Sequence, residues 1–173
     1  MDYIPDYIRF DFYKEINKKL SDSQIGVLTF INEFFKHSVH GLNSDNIEEY
    51  YEALRVHYRS GYCWHFAHML RDTFDRGEVC WAAPMGHFIW KDTDGSIYDA
   101  EGFYEGEAIY FIPENYLSQD ELLDFKHIPN NKGAATTRER LIEIIKRYCS
   151  DTNIEYDYKN ISSYLSSYDM LIG

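Results

Sequence analysis

The stretch Gly61-Tyr62-Cys63-Trp64-His65-Phe66-Ala67-His68-Met69-Leu70 sets a cysteine at the opening of a helix, directly after a glycine. The spacing of Phe66, Met69, Leu70 and Phe74 predicts that helix over about Cys63 to Asp75, ended by Gly77, so Cys63 falls in the first turn. A thiolate there is stabilised by unpaired N–H groups and by the positive end of the helix dipole, and an adjacent imidazolium lowers its pKa further. Gly86-His87-Phe88-Ile89-Trp90 follows as a strand pattern that begins with histidine, and Tyr98-Asp99-Ala100 lies in the next strand. Cys63, His87 and Asp99, in that order, form a candidate catalytic triad.

The connection between the two strands tests that grouping. Side chains alternate across a strand, so His87 and Asp99 share a face only if their loop has an odd number of residues. Asp92-Thr93-Asp94-Gly95 permits it: a type I turn with Gly95 left-handed gives the three-residue loop Thr93 to Gly95. Asp99 then lies opposite Ile89 and diagonal to His87, while Glu101 lies directly opposite His87. Both carboxylates are therefore candidates for orienting the imidazole. The backbone N–H of Cys63 is a candidate oxyanion donor, and no residue announces itself as the second.

Outward from this stretch, Ile8, Phe12, Ile16 and Leu20 predict a helix after Pro5. A capping box at Ser21 to Gln24 opens a second helix to about His37, with Ile25, Leu28, Ile31, Phe34 and Phe35 on one face. Asn43, Ser44 and Asp45 offer caps for a third, which runs to about Tyr58 with Ile47, Tyr50, Tyr51 and Leu54 apolar. Val79 to Ala83, His87 to Lys91, Ser96 to Ala100 and Ala108 to Ile112 read as strands. Ser118 to Glu121 caps a short helix, and a loop over Pro129 to Ala134 follows. Thr136 to Glu139 caps a helix over about Thr137 to Cys149, and a weak helical run lies near Ile161 to Tyr168.

The chain of 173 residues, 45% apolar and 17% aromatic, is sized for one domain with a packed core. Its net charge of −12 repels nucleic-acid backbones and anionic membranes, which excludes direct partners of those kinds. The N-terminal stretch lacks a basic region followed by an apolar run, and no apolar stretch reaches the ~18 residues needed to cross a membrane. The odd, sparse set Cys63, Cys80 and Cys149 argues for free thiols in a reducing compartment, hence a cytoplasmic protein. A rival chemistry groups His65 and His68 with Cys63 or His87 around zinc. On a helix, however, Cys63 and His65 diverge by roughly 200°, so the reading assigns no metal and no cofactor.

Over residues 61 to 102 the pattern resembles the transglutaminase-like superfamily, within the broader papain-like fold. Gly61-x-Cys63-x-x-Phe66-Ala67-x-x-Leu70 is similar to that superfamily's helix opening on its nucleophile. His87-x-x-Trp90, Gly95 and Tyr98-Asp99 are similar to its histidine strand, turn and aspartate strand. The strand aromatic lies at Trp90 rather than two places after the histidine, and Ala100 stands where the family usually has proline. The resemblance implies Cys63 as nucleophile, His87 as general base and acid, and Asp99 as orienter, in acyl transfer through a thioester.

The expected fold is α+β, a helix-rich N-terminal region packed on a small antiparallel sheet with a transglutaminase-like or papain-like core. It is read as a single domain over 1–173: a helical N-terminal part (1–60), a catalytic core (61–112) and a helical C-terminal part (113–173). The expected function is that of a thiol-dependent amide hydrolase or acyltransferase, whether protease, peptidase, deamidase or transglutaminase-like, on a protein, peptide or small amide substrate. The alternative is a noncatalytic acidic binding protein that keeps the fold and engages a basic protein partner, in one version by imitating nucleic acid.

Overall fold

The computed structural model describes residues 19–38, 47–126 and 134–172. The helix expected after Pro5, the caps at Asn43 to Asp45 and the loop Pro129 to Ala134 thus fall wholly or almost wholly outside the described residues. The fold is α+β, with helices and a small open antiparallel sheet. Helices α1 (Asp22–Ser38), α2 (Ile47–Ser60) and α3 (Cys63–Phe74) precede strands β1 (Glu78–Ala83), β2 (His87–Lys91), β3 (Ile97–Asp99), β4 (Gly102–Phe103) and β5 (Tyr110–Pro113). A 3₁₀ turn at Glu114–Tyr116 and helices α4 (Gln119–Lys126), α5 (Ala134–Thr152) and α6 (Tyr158–Ile172) complete the chain. The strand order is β4-β3-β2-β1-β5. Two compact units are distinguished, Met1–Val79 with Phe88–Glu105 and Cys80–His87 with Gly106–Gly173.

In the first unit α1 begins as its sequence requires: the Gln24 N–H donates to Ser21 Oγ at 3.1 Å, and the Ser21 N–H to Gln24 Oε1 at 2.9 Å. Its buried face is Val27, Leu28, Ile31 and Phe35. Ile25, expected on that face, is exposed. In α2 Tyr51 is buried and Tyr50 exposed, so only one of that tyrosine pair joins the core. Helix α3 buries Cys63, Phe66, Ala67 and Leu70 and contacts both α2 and β3. Asp75, not Gly77, takes the left-handed position that ends α3, with φ +50°. Gly77 is also left-handed, for a separate reason: a Cβ there would collide with the Lys91 carbonyl and the Trp90 ring.

The β2–β3 hairpin follows the expected geometry. Gly95 has φ +86°, its N–H donates to the Asp92 carbonyl, and the Asp92 N–H donates to the Ser96 carbonyl. The three-residue loop Thr93 to Gly95 sets the register Trp90 opposite Tyr98 and Lys91 opposite Ile97. Phe74, Trp90, Tyr98 and Phe103 form a continuous ring stack, with successive centroids 5.4, 5.5 and 5.0 Å apart. The Trp90 indole N–H donates to the Arg76 carbonyl at 2.9 Å. Burial pushes the Tyr98 phenol up to about 12. At the turn, the Arg76 guanidinium grips Asp92 with both ends, Nε to Oδ1 at 2.7 Å and Nη2 to Oδ2 at 2.8 Å.

The second unit is built on β1 and β5, which pair Trp81 with Ile112 and Ala82 with Phe111. The Ser118 box forms, with the Glu121 N–H donating to Ser118 Oγ and the Ser118 N–H to Glu121 Oε2. Glu121 is also held by Arg147 of α5 at 2.7 and 3.0 Å. Helix α5 starts at Ala134, so Thr136 lies inside it rather than capping it. It buries Ile144, Ile145 and Cys149, with Leu141 and Tyr148 only half-buried. The weak run near Ile161 is a full helix, begun by Asp157, whose Oδ1 accepts the Asn160 N–H at 3.1 Å.

Candidate functional site

Cys63 is the first residue of α3, as its sequence neighbours dictate. Gly61 closes the preceding helix, its N–H donating to the His57 carbonyl, and the Phe66 N–H reaches back to Tyr62 to start the next. Tyr62, at the N-cap position, makes no side-chain cap hydrogen bond. The thiol is buried and in no disulfide, as are those of Cys80 and Cys149. The backbone N–H of Phe88, on β2, donates to Cys63 Sγ at 3.5 Å. A sulfur at a helix start that also receives an N–H is placed to carry negative charge.

His87 opens β2 and is buried, immediately before the residue whose N–H reaches the thiol. Continued from Trp90 and Tyr98, the register sets Ile89 opposite Asp99. Asp99 ends β3 and is 7% exposed, and its Oδ1 accepts the Glu101 N–H at 2.8 Å.

Glu101, the other candidate orienter, is committed elsewhere. Its Oε1 receives Arg55 Nη2 and Arg59 Nη1, both at 2.7 Å. Burial alone raises the Glu101 carboxyl, but the two guanidiniums outweigh it and hold the group below the ordinary glutamate value.

The histidines near Cys63 pack against aromatic rings. Tyr62 stacks on His57 at 3.9 Å and lies 5.3 Å from His65, and Trp64 lies 4.0 Å from His68. Among the described residues no group of three or more His, Cys, Asp or Glu side chains is placed to hold a metal ion. Among the described residues, too, no helix is long and apolar enough to cross a membrane.

Three contributors escaped the sequence. The Phe88 N–H carries no signal, because every non-proline residue has the same backbone donor. Arg55 and Arg59 do carry one, since cations four residues apart share a helix face and point to a common anion.

Comparison of the chain with curated proteins and with solved structures gave no match. The model of one family, described as Phage YunG-like protein, matches residues 37–165, a span that contains Cys63, His87, Asp99 and both arginines. That span is well over half of the 173 residues, and the chain belongs to the Phage YunG-like family.

Proposed function

We propose that the protein is a thiol-dependent amide hydrolase or acyltransferase with a transglutaminase-like or papain-like core, in which Cys63 is the nucleophile, His87 the general base and acid, and Asp99 the orienter. The observation that carries this reading is the Phe88 N–H on Cys63 Sγ, which ties the first turn of α3 to the strand that begins with His87. In this mechanism His87 takes the Cys63 proton, and the thiolate attacks the amide carbonyl carbon to form a C–S bond. The oxygen takes up negative charge, for which the Cys63 N–H is the candidate donor. The C–N bond breaks as His87 returns the proton to the leaving amine. Water or a second amine then attacks the thioester, His87 accepts its proton, and the thiolate is released. The substrate is a protein, a peptide or a small amide, and the buried, unbridged cysteines suit a reducing, cytoplasmic setting.

The test is the rate at which iodoacetamide labels each cysteine as a function of pH. An unassisted thiol titrates near ~8.5, so its labelling climbs steadily into alkali. Cys63 should instead label at a nearly flat rate from mild acid to neutrality, faster than Cys80 and Cys149, and His87→Ala should abolish the flat region. A Cys63 rate that rises steadily toward alkali and ignores His87→Ala would overturn the enzyme reading in favour of an acidic binding protein.

A further inference from the structure

We propose that Glu101, clamped by Arg55 and Arg59, is a positioning residue for Asp99, so that α2 sets the aim of the triad's carboxylate; this rests on the reading of Cys63, His87 and Asp99 given above. Glu101 is linked at both ends. Its side chain takes hydrogen bonds from Arg55 and Arg59 at 2.7 Å, and its backbone N–H donates to Asp99 Oδ1 at 2.8 Å. The chain between these links has no slack. Asp99 pairs with Gly102 across the β3–β4 turn, leaving only Ala100 and Glu101 between them, and Gly102 closes the turn at φ +99°. Holding Oδ1 fixes the rotation of the Asp99 carboxylate and therefore the direction of Oδ2. The rotation is thus set by where the Glu101 peptide sits, and that is set by two guanidiniums one helical turn apart on α2.

An ion pair this exposed contributes little to stability, since the Glu101 and Arg59 side chains are 35% and 45% exposed. Its consequence is geometric. A less well aimed Asp99 supports the His87 imidazolium less, and the Cys63 thiolate then persists less in mild acid.

The experiment labels Cys63 with iodoacetamide across pH in the full chain and in Glu101→Ala, Glu101→Gln, Asp99→Ala and the double variant Asp99→Ala/Glu101→Ala. Loss of positioning should slow Cys63 labelling in mild acid by about tenfold in Glu101→Ala. Asp99→Ala should slow it at least as much, and the double variant should match Asp99→Ala alone, since residues acting in one line are not additive. Glu101→Gln keeps an oxygen for the arginines and should recover part of the rate.

A wild-type profile in Glu101→Ala beside a shifted Asp99→Ala overturns the positioning role and leaves the triad standing. An unshifted Asp99→Ala overturns the triad itself. If Glu101→Ala exposes Cys80 and Cys149 to label, Arg59→Gln decides in its place: a slowed Cys63 supports the role, and an unchanged profile ends it.

Discussion

Asp92 and Arg76 differ sharply in their access to water: the Asp92 side chain is 1% exposed and that of Arg76 35%. The Arg76 hydrogen bond, opposed by burial and aided by the Thr93 N–H, holds the Asp92 carboxyl below the ordinary carboxylate range. Truncating either partner therefore has a different cost. Asp92→Ala leaves a guanidinium that can turn to water, whereas Arg76→Ala strands a buried carboxylate, a loss of about 1–3 kcal/mol or more. Urea titration at neutral pH should show Arg76→Ala to be the less stable of the two, and the gap should narrow in acid as Asp92 protonates. At the thiols, the proposed function predicts that Cys63→Ser abolishes acyl transfer with the fold intact, while Cys80→Ser and Cys149→Ser keep it, measured by turnover and circular dichroism.

At the scale of elements, the β2–β3 hairpin depends on two left-handed glycines of different kinds. Gly95→Ala meets no neighbour within 4 Å and should cost only the conformational penalty, about 1 kcal/mol. Gly77→Ala drives a methyl into the Lys91 carbonyl and the Trp90 ring and should be far more damaging. Thermal melts of the two variants check the order. The hairpin was legible in the sequence because turn chemistry constrains the register: Asp92 to Gly95 admits few loops, and the three-residue one uses Gly95 at its positive φ. The same kind of signal failed at Thr136, whose Thr-x-x-Glu spacing is also an ordinary pattern inside a helix, and α5 begins at Ala134. Strand β4 was missed because two residues, Gly102 and Phe103, are too few for any alternation to be read. Helix α6 was under-read because its start depends on the Asp157 cap, which lies before the apolar run.

For the molecule as a whole, the α+β class was legible because long helical stripes and short alternating strands differ in period, and the placement of Cys63 at a helix start and of His87 and Asp99 on successive strands because those signals are local. The anion that Arg55 and Arg59 hold was not legible: their shared helix face points to one, but Glu101 lies more than forty positions away and only folding brings it to them. Asp92, Glu101 and Glu121 each have a carboxyl held below its ordinary value and each is bound by arginine. Where such a group is buried, as Asp92 and Glu121 are, it contributes stability that is fully present above the unfolded carboxylate range and is lost as pH falls through its folded value. Melting temperature should therefore stay level through neutrality and drop in acid, and Arg147→Ala should flatten the part of the drop that Glu121 supplies. The ring stack from Phe74 to Phe103 has an optical consequence. Trp90 is fully buried in it, so its emission should be blue-shifted in the folded chain and move to the red when β2 and β3 part. With three tryptophans in the chain, Trp64→Phe/Trp81→Phe leaves Trp90 as a single fluorophore, and the hairpin beside Cys63 then reports its own opening in real time.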